Sequence, residues 1–308
     1  MLESFLIVGT QVSILFILIA LGFFGGKIKL LTKEGVASIN DIMLYFVTPC
    51  VVINAFQRDF DPQLLKNLLL SMLASLIAHL LSFGLGLFLI RNKFDAQRKV
   101  LRFAGIFSNC GFMALPLVEA LLGSEGVFYA AGYLAVFNVC VWSYGQYVMA
   151  KGQSGFDNKK IVLNPGVLSV IVGLILFFTS FRLPEIIRSP IAYLAALNTP
   201  VPMLIIGYSI SKLDLKSLVK IRTELMSILT RLVISPAVLL GILYLLGYRG
   251  TLLIATMVSA STPVAAITTM FSIKYKQDEE LASKIVAVSS LFSIVTMTLI
   301  VGFTRYIA

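Results

Sequence analysis

Charge is scarce in this chain of 308 residues: Asp, Glu, Lys and Arg make up 13%, against roughly 25% in a soluble domain. Histidine and tryptophan each occur once, and cysteine three times. One histidine and three scattered cysteines give no metal-ligand spacing, so neither metal nor cofactor is expected. Cys50, Cys110 and Cys140 all fall in apolar stretches rather than loops, which excludes a disulfide framework. HExxH, nucleophile-elbow, Walker and dinucleotide patterns are missing, so the chain is not expected to be an enzyme. Alternating ten-residue strands are missing too, which argues against an outer-membrane barrel.

What is abundant is apolar. Hydrophobic residues reach 58% and mean hydropathy is +0.94. They fall in blocks long enough to cross a hydrocarbon core of roughly 30 Å as helices. Ten spans are expected: Leu6–Phe24, Ser38–Phe56, Leu65–Ile90, Val100–Leu122, Val127–Ala150, Pro165–Phe181, Pro190–Ile210, Ile221–Leu246, Thr251–Tyr275 and Leu281–Phe303. The fold class is an all-α polytopic membrane protein. The start, MLESFLIVGT, lacks a basic n-region, so the first span is expected to be retained.

The net charge of +10 is unevenly placed. Loops after spans one, three, five, seven and nine hold 18 of the 25 lysines and arginines. The other side holds 6, namely Arg58, Lys66, Arg182, Arg188, Arg249 and Arg305, and Arg231 stands inside a span. This is an orientation signal rather than a nucleic-acid patch. It places the basic loops in the cytoplasm and both termini outside, in the cell (inner) membrane.

The longest polar break, KGQSGFDNKKIVLN, divides the spans five and five. Two five-span units must insert with opposite orientations, as in inverted-repeat transporters. The expected units are 1–150 and 164–308, joined by a cytoplasmic linker 151–163. Thr48–Pro49 in span two answers Thr199–Pro200 in span seven; Pro116 in span four answers Pro263 in span nine.

Proline removes a backbone donor and clashes with the carbonyl one turn back. At membrane depth such a break survives where protein or a watery cavity satisfies the freed groups. SNCGFMALP therefore reads as a helix, an unwound linker and a second half-helix beginning near Pro116; SASTP repeats this before Pro263. The alternative is two simple proline kinks. In opposite orientations the two second half-helices would aim their positive N-termini at one point, an anion site. Ser108, Asn109, Gly111, Pro116, Ser259, Ser261 and Pro263 are its candidate residues, with Phe112 and Met113 beside it.

These residues resemble a known family. GIFSNCGFMALPLVEALLGSEGVFYAAGYLAVFNVCVWSYG is similar to the fourth and fifth helices of the auxin efflux carriers, and ASTPVAAITTMFSIKYKQDEELASKIVAVSSLFS to their last two. The resemblance implies a fold like that of sodium–proton antiporters and bile-acid symporters. It further implies a scaffold of helices one, two, six and seven and a mobile domain of helices three to five and eight to ten. Substrate would sit where helices four and nine cross: Asn109, Gly111 and Pro116 on one side, Ser261 and Pro263 on the other. The missing second asparagine and the absent long central loop favour a small bacterial-type carrier over an auxin exporter.

Other polar groups within spans have two readings each. Arg231, near mid-membrane, is an anion-attracting or state-stabilising group, or else a structural pair. His79 is a proton carrier or a satisfied core histidine. Glu119 binds a proton or sodium, or lies near water. Asn138 faces the crossing or bridges helices. Gly22 and Gly26, four apart, suit close helix packing. The expected function is a secondary transporter of a small mono- or dicarboxylate, auxin-like or malonate/malate-like, working by an elevator motion. A cation/proton antiporter or a channel on the same fold is the alternative. The expected partners are the organic anion, the bilayer, protons before sodium, and a second copy in a homodimer.

Overall fold

The computed structural model describes residues 2–91, 95–150, 165–212 and 224–308. The linker 151–163 and the start of span eight lie outside the described residues. The described helices are α1 (Leu2–Lys27), α2 (Lys33–Ala55), α3 (Pro62–Leu89), α4 (Asp95–Ile106), α5 (Cys110–Ala150), α6 (Pro165–Thr179), α7 (Glu185–Ala196), α8 (Pro200–Ser211), α9 (Leu225–Leu245), α10 (Gly250–Ser261), α11 (Ile267–Lys274) and α12 (Glu279–Ile307). Among the described residues there is no β-strand beyond one isolated bridge. Among the described residues, six stretches are each long and apolar enough to cross a membrane: α2, α3, α5, α7 with α8, α9 and α12; shorter apolar helices lie in α1, α6 and α10.

Helix starts follow side-chain chemistry. Thr32 accepts from Gly35 N–H ahead of α2, and Asp278 Oδ1 from Leu281 N–H ahead of α12. Asp61 Oδ1 accepts from Gln63 N–H at 2.6 Å ahead of α3, where Pro62 fills a first-turn position that has no partner to lose.

Prolines inside α2, α5 and α9 follow a common rule. Pro49, Pro116 and Pro236 each come just after a π-turn: Met43–Val47, Cys110–Ala114 and Thr230–Ile234. Hydrogen bonds there reach back five residues, from Thr48 N–H to Met43 O and from Ser235 N–H to Thr230 O. The wider turn moves aside the carbonyl that a proline ring would strike. Hence a correction to the reading of SNCGFMALP. The second half-helix starts at Cys110, not near Pro116, and Pro116 is carried inside it.

The chain of α5 turns at Gly123, with φ 63° and ψ −158°, separating an arm at 110–122 from one at 124–150. Only glycine adopts that region readily. An added Cβ would meet nothing within 4 Å. Gly123→Ala therefore tests backbone strain alone and is expected to cost about 1–3 kcal/mol, seen as a lowered thermal midpoint in detergent.

Close packing uses glycine, as Gly22 and Gly26 suggest. A Cβ on Gly22 would lie 2.2 Å from Leu204 O, and one on Gly26 2.1 Å from Ser211 Oγ. Hydroxyls tie α3 to the second arm of α5, Ser71 donating to Tyr129 O and Ser75 to Tyr133 O at 2.6 and 2.9 Å. Ser82 Oγ and Ser235 Oγ, 2.7 Å apart, join α3 to α9. Such bonds matter in lipid, where burial of apolar surface does not drive helices together.

Candidate site at the crossing of two interrupted helices

Two unwound segments meet in the protein interior. One joins α4 to α5 and the other joins α10 to α11. Ser108 and Val264 form an antiparallel bridge. Asn109 N–H donates to Pro263 O at 2.8 Å, and Ala265 N–H to Phe107 O at 3.0 Å. Val264 N–H donates to Ser289 Oγ of α12 at 3.2 Å. These linker groups are thus satisfied within the protein, the condition for irregular backbone at membrane depth. Antiparallel pairing also means that the two interrupted helices pass the crossing in opposite directions.

The side chains there are enclosed. Ser108 and Asn109 are 1% and 4% exposed. Asn109 Nδ2 has no protein partner. Ser108 Oγ lies beside Cys110 and Tyr133 without a hydrogen bond of regular geometry. Met113 is buried and Phe112 and Gly111 are half-buried in the turn that opens α5. An unmade bond to a buried amide costs about 1–3 kcal/mol, which makes this donor a candidate contact for a bound molecule.

The serines before Pro263 behave differently. Ser259 donates to Ala255 O and Ser261 to Met257 O, both within α10. Their protons are occupied and only their lone pairs are available. Thr268 in the first turn of α11 and Thr48 in α2 are buried hydroxyls with no partner. In the sequence Thr48 stands out only as part of a Thr-Pro repeat and Thr268 not at all, since a threonine in an apolar span is unremarkable until its lack of a partner is known.

Arg231, on the π-turn of α9, is 2% exposed. Its Nη1 donates to Ile106 O at 2.9 Å and its Nη2 to Ala260 O. It therefore touches the last turns of both α4 and α10. His79 of α3 packs among the rings of Phe107, Tyr133 and Phe137, with Nδ1 donating to Ser75 O at 2.7 Å. Asn138, on the second arm of α5, lies against α6: a Cβ on Gly166 would sit 2.4 Å from its Nδ2. Glu119 is exposed and not enclosed with the crossing residues.

A cavity of about 350 Å³ lies elsewhere, lined by Gln63, Lys66, Asn67, Glu125, Tyr129 and Arg249 among others. Its polar groups are largely engaged. Asn67 donates to Tyr129 Oη, Tyr129 Oη donates to Glu125 Oε1, and Arg249 bonds the carbonyls of Tyr244 and Tyr248. The crossing, with its unpaired buried donors, is the better candidate.

Comparison with known proteins agrees in class. The sequence profile of the membrane transport protein family matches residues 7–301. An uncharacterized transporter of Methanothermobacter thermautotrophicus is 26% identical over 299 residues, covering 94% of this chain and 96% of that protein. A Rhizobium meliloti protein, for which malonate transport is the proposed activity, is 25% identical over 294 residues, covering 91% of each.

Proposed function

The chain belongs to the membrane transport protein family, and from that premise we propose that it is a secondary transporter of a small organic anion. The substrate is a mono- or dicarboxylate of the malonate or malate kind, held at the crossing. The observation that carries this reading is the pair of antiparallel unwound segments with the buried, unpartnered amide of Asn109 between the half-helices. The N-termini of α5 and α11 supply unpaired N–H groups and positive dipole ends. Neutral donors coordinate a carboxylate without trapping it. The activity proposed for the Rhizobium meliloti relative, malonate transport, points the same way. A cation substrate would need carboxylates beside the breaks, and Glu119, the acid nearest them in sequence, faces outward.

The reading takes the chain as two inverted units, 1–150 and 164–308, supported by the antiparallel pairing of the two unwound segments. In this reading α1, α2, α6, α7 and α8 form the scaffold, and the rest form a domain that carries the crossing across an inner membrane. Of the coupling candidates, His79 packs on Phe107 of the linker, whereas Glu119 is exposed. Scaffold helices supply the contact of a homodimer. A topology test is direct. Glu34→Cys is expected to react with an impermeant maleimide only from the cytoplasmic side, and Arg188→Cys only from outside. Labelling of both from one side removes the inverted arrangement.

The functional test is counterflow in proteoliposomes. Labelled malonate is expected to exchange with saturation and at carrier rates. A conductance at ion-channel rates would favour the channel reading, and stabilisation of the purified protein by sodium alone would favour the cation reading.

A further inference from the structure

Four helix ends meet at the crossing. α5 and α11 begin there, while α4 and α10 end there. Each start carries about +0.5 of a charge and each end about −0.5. Left to themselves, two starts and two ends cancel, and such a crossing has no reason to prefer an anion to a cation. Something must silence one pair.

Arg231 is placed to do this. Its guanidinium bonds the carbonyls of Ile106 and Ala260, in the last turns of α4 and α10. One unit of positive charge matches two ends of about −0.5. Among the described residues it makes no ion pair. The titratable groups facing it are His79 of α3 and Cys110 and Tyr133 of α5, none of them a carboxylate. The starts of α5 and α11 are left unopposed, with Asn109 Nδ2 buried and unpartnered beside them.

We propose that Arg231 is the positioning residue that makes the crossing anion-selective, by neutralising the two negative helix ends rather than by touching the substrate. This deepens the anion reading above and rests on it. The fixed cation leaves about one unit of positive charge at the two starts, so one carboxylate of the substrate faces them and the remainder of the molecule lies outside their field.

The test uses purified full-length protein and malonate binding between pH 7 and pH 9.5. Arg231→Met keeps length and removes charge; malonate affinity is expected to fall at least tenfold. Arg231→Lys keeps a charge that can be lost, because an ammonium can release its proton and a guanidinium cannot. Its sign is fixed: binding close to wild type at pH 7, weakening as the pH rises, while wild type stays flat. A merely structural role would not produce that profile. A Met variant binding within threefold of wild type, or a Lys variant with the flat wild-type profile, overturns the assignment. A wild-type protein that binds no carboxylate overturns the anion reading and this assignment together.

Discussion

Asn109→Ala is expected to weaken carboxylate binding by about 10- to 150-fold. That follows from the worth of a hydrogen bond to a charged group, roughly 1.5–3 kcal/mol. The fold should be nearly untouched, for a specific reason. Asn109 is bound into the structure through its main chain, its N–H on Pro263 O and its C=O accepting from Met113 N–H at 3.0 Å. Its Nδ2 bonds no protein atom, so truncation leaves no protein acceptor orphaned there. The variant should therefore have a thermal midpoint no lower than wild type without ligand and lose the shift that malonate induces. Carboxylate binding unaffected by the substitution would falsify the site, whatever the substrate.

Gly207→Ala should have the largest effect on stability. A Cβ at Gly207 in α8 would lie 2.0 Å from Ile19 O and 2.6 Å from Phe23 N, both main-chain atoms of α1. Backbone cannot rotate aside as a side chain can, so the two helices must separate along their contact. Overpacking of this kind costs typically 1–3 kcal/mol, occasionally more. Gly84→Ala is the control, since a Cβ there meets nothing within 4 Å. In differential scanning fluorimetry the first variant should unfold several degrees earlier, by roughly 2–4 °C per kcal/mol for chains of this order, and the second should match wild type. Equal midpoints for the two would mean that α1 and α8 do not meet as described.

How far the site could be read in advance differs from residue to residue. Asn109 stood out because an amide beside a glycine and a proline is costly in lipid unless something uses it. Arg231 stood out on the same ground, as a charge inside a span. Ser259 and Ser261 drew the same attention, yet both donate within their own helix. A serine that bonds back one turn and a serine that faces a ligand have the same sequence neighbourhood. Glu119 follows Pro116 by three residues, but α5 turns it to the exposed side.

The sequence by itself determined the class of protein and marked the two segments where helices are interrupted, but not the residue at which the half-helix of α5 begins. Those depend on local quantities: hydropathy over about 20 residues, the missing N–H of proline, a carboxylate or hydroxyl at a helix start. Only the tertiary structure decided what the interrupted ends do. That Phe107 and Asn109 pair with Ala265 and Pro263, and that Arg231 reaches Ile106 and Ala260, are contacts between segments far apart in the chain. The physical reason is the solvent. Lipid is as apolar as a protein core, so spans carry little amphipathic signal for the face that turns inward. The partners are then chosen by backbone hydrogen bonds that must be satisfied within the protein, and those bonds exist only once the helices have come together.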